Sequence, residues 1–298
     1  MLVSSFGAAF HKELRVMGTG DIKAELRRTW ESAAPGWARW ESVFATGLAD
    51  ATATMLDMAG VDAGMRVLDL ACGAGSQTLR AAERVGPKGR VVAIDISPTM
   101  LAHVREAARR SGLGNIETLE CAAEDLPSTL GVFDAAICRL ALMLFPDPKR
   151  ALRAVHSVLK PKAHIAALVF SMPAANPFMS ETMQILLRHA AKESPTAGKP
   201  GLFALSGRGV LEGLLADSGL TDVKSRVASG SLRSTSAAEA LEMMQEAFGA
   251  YRAVVADLGS EARAAAWSEV GECLKRFEDH EGFHTEVELI LGSGTRGG

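Results

Sequence analysis

The stretch that decides the fold is Arg66–Gly75, RVLDLACGAG. Its first half is a short apolar, β-branched run, the composition of a strand buried on both faces. Its second half is Cys-Gly-Ala-Gly, and a helical pattern from Ser76 to Val85 follows at once. A strand that turns through glycines into a helix opens a βαβ unit. Gly73 and Gly75 permit the tight turn and leave no Cβ between the backbone and a ligand. The helix N-terminus adds unpaired N–H groups at the same place.

Downstream, the pattern repeats. Gly86-Pro87-Lys88-Gly89 is turn chemistry and leads into Arg90–Asp95, RVVAID. Ser97 and Pro98 supply an N-cap and a first helical residue for a helix to about Ser111, and Gly112–Gly114 ends it. Strands are expected at Ile116–Cys121, Phe133–Cys138 and His164–Phe170, with a helix at about Pro148–Leu159. This alternation predicts an α/β fold with a parallel sheet. Residues 1–60 read as helical and carry Trp30, Trp37 and Trp40. Beyond Phe170 the segment SMPAANPF interrupts the pattern. Helices are expected at Met179–Ala191 and about Gly207–Ser218, separated by the loop KESPTAGKPG. Strands are expected at Asp222–Ser231 and Thr285–Leu291, with two helical segments between them. No repeat or long linker divides the chain, so the expectation is one domain spanning residues 1–298. Within it, residues 1–60 would form a helical lid, 61–170 the ligand-binding core, and 171–206 and 232–284 helical additions walling a pocket above the carboxyl edge of the sheet.

Asp95 ends the second strand, where an acid accepts hydrogen bonds from the two hydroxyls of a ribose. Together with the glycine loop it predicts a nucleoside ligand. A dinucleotide fingerprint would require glycine at 78, where Thr78 stands, and no phosphate-binding GxxxxGK[ST] loop exists. The 32 basic and 35 acidic residues give a net charge of −3, without the basic footprint that nucleic acid demands. No apolar stretch reaches the ~20 residues of a membrane span. The N-terminus lacks a signal-peptide form, and Cys72, Cys121, Cys138 and Cys273 are too scattered for a disulfide or zinc framework. A cytoplasmic protein without a metal is therefore expected.

The runs VLDLACGAG (67–75), VVAIDISPTML (91–101), CAAEDLP (121–127), FDAAICRLALMLFPDP (133–148) and VLKP (158–161) resemble class I S-adenosylmethionine-dependent methyltransferases, most of all the type-11, ubiquinone/menaquinone-methyltransferase-like group. The resemblance covers about residues 30–170 in order and spacing. It implies a Rossmann-like three-layer sandwich with a seven-stranded, mostly parallel sheet and one antiparallel strand. It also implies S-adenosylmethionine as cofactor and S-adenosylhomocysteine as product. Asp69, Gly73 and Gly75, with Ala71 beside them, would lie against the methionine part, Asp95 on the ribose, and Ile96 and Met100 on the adenine. Ala123, Glu124 and Asp125 would border the adenine edge, and Cys138 and Arg139 would close the site. Two positions depart from the family. Ala122 stands where an acid is common, leaving the adenine amine to Glu124, Asp125, backbone or water. The family's KPGG turn reads Lys160-Pro161-Lys162-Ala163.

The implied chemistry is in-line methyl transfer to an acceptor O, N, S or C, driven by alignment and exclusion of water. The sequence singles out no catalytic residue. His11, His189, His280 and His284 fall in the additions or beside the last strand, while His103, His156 and His164 belong to the scaffold. Arg139 interrupts an apolar run and could pair with Asp134 or Asp147, the cofactor carboxylate, or an anionic acceptor. Trp37, Trp40, Phe178 and Met179 are candidate substrate contacts. They suggest a small hydrophobic or aromatic acceptor rather than nucleic acid, with a homodimer left open. Two rival readings are a nicotinamide-dependent oxidoreductase and a non-catalytic nucleoside-binding protein.

Overall fold

The computed structural model describes residues 19–193 and 199–298, so His11 lies outside the described residues. Helix α1 (Thr19–Gly47) and α2 (Ala49–Met58) precede β1 (Arg66–Leu70). The core continues with α3 (Ser76–Val85), β2 (Arg90–Asp95), α4 (Pro98–Arg110), β3 (Ile116–Glu120), β4 (Phe133–Arg139), α5 (Pro148–Val158) and β5 (Leu159–Phe170). Then follow α6 (Pro177–His189), α7 (Val210–Asp217), β6 (Leu220–Ser234), α8 (Ala237–Ala247), α9 (Gly249–Val254), α10 (Ser260–Leu274), β7 (Glu278–Asp279) and β8 (Gly282–Arg296).

The sheet order is β3-β2-β1-β4-β5-β8-β6. Strands β1 to β5 pair in parallel, and β8 runs antiparallel between β5 and β6. The expected seven strands with one reversed are all present. The addition is β7, two residues that form a hairpin with the start of β8. Successive residues of β1, β2 and β4 are buried although they point to opposite faces, so helices cover the sheet on both sides in three layers. Strand order reverses between β1 and β4, which places the crevice of such folds at the carboxyl ends of β1, β2 and β4.

Local chemistry sets the element ends. Ser97 Oγ accepts the N–H of Met100 at the head of α4, and Asp147 Oδ1 accepts that of Arg150 at the head of α5. Pro98 and Pro148 take the first helical positions. Without a glycine pair, Lys162 takes φ +66° inside β5, and the register against β4 shifts between Phe133 and Ala135. Strands β6 and β8 run longer than expected because each supplies the other's ladder from Leu220 to Ser234. Between them stand three helices, α8, α9 and α10, where two segments were expected.

The added helices enclose an aromatic cluster. Phe178 packs on Phe283 with ring centroids 5.5 Å apart, and Phe248 on Tyr251 at 5.4 Å. Tyr251 is fully buried, and its hydroxyl donates to the Met179 carbonyl at 2.7 Å. Tyr251→Phe removes one buried hydrogen bond without changing shape. It should lower unfolding free energy by about 1 kcal/mol, read from the denaturant midpoint. No helix among the described residues is long and apolar enough to cross a membrane.

Candidate functional site

The glycine loop is built from behind. Asp69, at the end of β1, has no exposed surface. Its carboxylate accepts from Thr78 Oγ1 at 2.5 Å and Gln77 Nε2 at 3.4 Å, and Gln77 also donates to the Cys72 carbonyl at 3.0 Å. Burial raises the Asp69 pKa to about 7, against the opposing hydrogen bonds from Thr78 and Gln77. Asp69 thus ties β1 to the first turn of α3 and does not line the cleft. Ala71 and Gly73 do line it, both left-handed at φ +50° and +56°. A Cβ on Gly73 would meet nothing within 4 Å, because open cleft lies there. Gly75 lies back from the cleft, where a Cβ would meet Val104 Cγ2 of α4 at 2.9 Å.

Asp95 lines the cleft and joins two loops. Its Oδ2 accepts the Gly73 N–H at 3.0 Å and its Oδ1 the Ser97 N–H at 2.9 Å. Burial raises its pKa to about 6, despite those backbone donors. Ile96 and Met100 stand beside it, and Ala123 and Glu124 face it from beyond β3. Glu124 is only 7% exposed, and its Oε1 has no hydrogen-bond partner. A buried acceptor left unpaired is costly, so this atom fits a ligand N–H. Its neighbour Asp125 points outward and pairs with Lys23 and Arg150. Cys138 is fully buried outside the lining, its thiol pushed up to about 12 by burial.

Arg139 does reach the cleft. It donates to Ser76 Oγ at 2.5 Å and Thr52 Oγ1 at 3.3 Å, with Glu41 Oε1 3.8 Å away. Neither carboxylate considered from sequence pairs with it. Asp134 accepts from the Arg66 N–H and Lys160, and Asp147 caps α5. Burial lowers the Arg139 pKa from its ordinary value, while Glu41 and Asp69 oppose that shift.

Sequence reasoning missed most of the opposite wall. Lys23, Leu26, Trp30, Trp37, Glu41 and Phe44 of α1, with Leu48 just after it, all line the cleft. Their spacing of three, four and seven residues is one helical stripe, the signal that could have found them. Trp37 lies against Phe44 with centroids 4.4 Å apart. Leu140, Ala141, Leu144, Phe145 and Pro146, after β4, complete the apolar part of the lining.

Three candidate substrate contacts lie elsewhere. Trp40 turns away to donate to Glu246 Oε2 at 2.7 Å, while Phe178 and Met179 are buried in the aromatic layer. No described residue of 171–206 or 232–284 lines this cleft. The 232–284 addition braces α1 from outside, through Arg39 with Glu242 and Glu246 at 2.7 and 2.6 Å. No histidine among the described residues lines the cleft.

Comparison with known proteins agrees with this architecture. Residues 61–221, more than half of the chain, match the family model described as Methyltransferase domain. Over 123 residues the chain is 40% identical to the ubiquinone/menaquinone biosynthesis C-methyltransferase UbiE of Enterobacter sp. (strain 638). That match covers 41% of this chain and 49% of the relative, so the chain spans about half of the relative's length. Among solved structures, YcgJ from Bacillus subtilis aligns with TM-score 0.54 and 18% identity, covering 84% of this chain and 99% of that one. Phosphoethanolamine N-methyltransferase 2 from Haemonchus contortus, solved with phosphomonomethylethanolamine and S-adenosylhomocysteine, aligns with TM-score 0.58 and 15% identity over 91% and 60% of the two chains. At such identities the structures establish the fold alone. The chain belongs to the methyltransferase-domain family, the S-adenosylmethionine-dependent enzymes with this Rossmann-like sheet.

Proposed function

We propose that this chain transfers the methyl group of S-adenosylmethionine to a small hydrophobic or aromatic organic acceptor by in-line displacement. The observation that carries the reading is one cleft whose lining is of two kinds. Asp95 and the unpaired Glu124 offer acceptors, while Trp37, Phe44, Leu144 and Phe145 are apolar. The residues fit the cofactor: Asp95 for the ribose hydroxyls, Glu124 for the adenine amine that Ala122 cannot reach, and open space above Gly73 for the methionine part. When bound, S-adenosylmethionine supplies an activated methyl on a sulfonium and leaves as S-adenosylhomocysteine.

The protein's part is to bind, align and dry the reactants. Helix α1 serves as the lid over the core of residues 61–170, and the 232–284 addition holds that lid in place. With no histidine at the cleft among the described residues, the acceptor that fits this lining is one that ionises readily or is already nucleophilic. Quinone-like and phenolic rings match the apolar part of the lining, and the place of UbiE in ubiquinone/menaquinone biosynthesis makes them the first compounds to test.

A mass-spectrometric screen with S-adenosylmethionine present should find an acceptor of this class gaining one methyl. NADH binding without S-adenosylhomocysteine binding would favour the oxidoreductase rival. Cofactor that binds but is never consumed across a broad acceptor panel would favour the non-catalytic one.

Glu124→Leu has a distinctive expected signature. Removing an unpaired buried acceptor should raise the ligand-free melting temperature by a few degrees, from about 1–3 kcal/mol. The same change should weaken S-adenosylhomocysteine roughly tenfold or more, measured by calorimetry.

A further inference from the structure

Among the described residues, two buried side-chain atoms of the cleft lining have no hydrogen-bond partner. One is the acceptor Glu124 Oε1 and the other is Trp37 Nε1, whose indole N–H can only donate. The adenine amine accounts for the acceptor and leaves the donor unexplained. Trp40, three residues further along α1, shows what such a group ordinarily finds, donating to Glu246 Oε2 at 2.7 Å. Trp37 has no such acceptor. Its ring lies against Phe44, with centroids 4.4 Å apart, and against Phe248 at 6.4 Å. An N–H buried among rings without an acceptor is costly, and for packing alone phenylalanine would serve without that cost. The tryptophan instead keeps one polar atom in the apolar part of the lining, where a single donor can orient a planar ligand.

We infer that the Trp37 indole N–H recognises a ring oxygen of the methyl acceptor, which is therefore an oxygen-bearing aromatic of the phenol or quinol class. The inference rests on the proposed aromatic acceptor and narrows its chemistry. A hydrocarbon ring in the same place would leave the N–H buried and unpaired. A site built around a donor rejects the analogue that lacks its acceptor, so the oxygen is selected and not merely tolerated. A donor in apolar surroundings also favours an ionised oxygen over a neutral one. The ring then gives its proton to water while the indole keeps its own. That suits a cleft whose described lining holds no histidine to act as base.

Calorimetry on the full chain, saturated with S-adenosylhomocysteine, tests this with two probes of like shape, 2-naphthol and naphthalene. The wild type should bind 2-naphthol about tenfold more tightly, although naphthalene is the more hydrophobic of the two. Trp37→Phe keeps an aromatic face and removes the donor. It should abolish the preference, with the loss falling on 2-naphthol, while affinity for S-adenosylhomocysteine stays within about threefold and shows the variant folded. A wild type that binds the two probes equally, or naphthalene better, would overturn the inference without any variant. So would a preference that survives in Trp37→Phe. A tenfold loss of S-adenosylhomocysteine affinity in that variant would assign the donor to the cofactor and overturn it as well. If the wild type binds S-adenosylhomocysteine and neither probe, the aromatic-acceptor reading itself fails and takes this inference with it. If S-adenosylhomocysteine does not bind either, the cofactor reading fails first.

Discussion

Replacing Asp95 is expected to reduce affinity for S-adenosylhomocysteine by about 10²–10⁴-fold, from two charge-assisted hydrogen bonds worth about 1.5–3 kcal/mol each. The carboxylate already accepts from Gly73 and Ser97, so it is fixed in direction before a ligand arrives. Each oxygen has lone-pair capacity left for a ribose hydroxyl. Asp95→Ala removes both acceptors and leaves the two N–H groups unpaired, so part of its loss comes from the loop. Asp95→Asn keeps one acceptor oxygen and the side-chain shape and should still lose most of the affinity. The pH dependence separates charge from shape. With the free protein's Asp95 at about 6, binding to the ionised form should be flat above about pH 7. As pH falls through 6, protonation competes, and affinity should drop by up to tenfold per unit. Asp95→Asn should remove that part of the slope. Calorimetry across pH 5–8 decides, and a wild-type affinity unchanged from pH 8 to 5 would contradict the role given to Asp95.

The core was readable because its determinants are local. RVLDLACGAG and RVVAID carry their strands, turns and ligand loop within a few residues, and Ser97-Pro98 marks a helix start by chemistry alone. What escaped depends on docking across long separations. Glu41 meets Ser76 across 35 positions, and the cleft stripe of α1 acquires meaning only when that helix faces the loops that follow β1 and β4. Trp40 and Trp37 are equally aromatic, three residues apart on one helix. The carboxylate of Glu246 draws Trp40 outward and leaves Trp37 at the cleft. Adjacent Glu124 and Asp125 divide likewise. A single tight turn over 123–125 sends one inward, unpaired, and the other outward to Lys23 and Arg150. Phe178 and Met179 looked suited to a pocket wall because they are apolar and follow β5. The same character serves the aromatic layer beneath α9. Composition cannot separate a pocket wall from a core when both need the same residues.

The second large effect is expected at Gly36, where the lid meets the additions that brace it. Gly36 follows Pro35 inside α1, an interior helix position where glycine ordinarily costs about 1 kcal/mol against alanine. Its place there is explained by what lies opposite. A Cβ would stand 2.3 Å from the carbonyl carbon and oxygen of Glu246 and 2.8 Å from the Ala247 nitrogen, at the last turn of α8. These are backbone atoms and cannot swing aside as a side chain would. Gly36→Ala must therefore push α1 away from α8. It would strain the contacts of Arg39 and Trp40 with Glu246 and disturb the Trp37 and Glu41 positions one and five residues on. Overpacking of this kind costs about 1–3 kcal/mol and more where the backbone resists, a fall of roughly 2–4 °C in melting temperature per kcal/mol for a chain of this size. Cofactor affinity should fall with it, by about tenfold, because the lid supplies one wall of the cleft. Three of the four tryptophans lie on α1, so intrinsic fluorescence reports its displacement directly. Gly213→Ala in α7 is the control. A Cβ there meets nothing within 4 Å, and the substitution should stabilise by about 0.4–1 kcal/mol while leaving binding and fluorescence unchanged. If Gly36→Ala behaved like Gly213→Ala, α1 would not be seated on α8 as closely as the structure has it, and the lid would owe its position to other contacts.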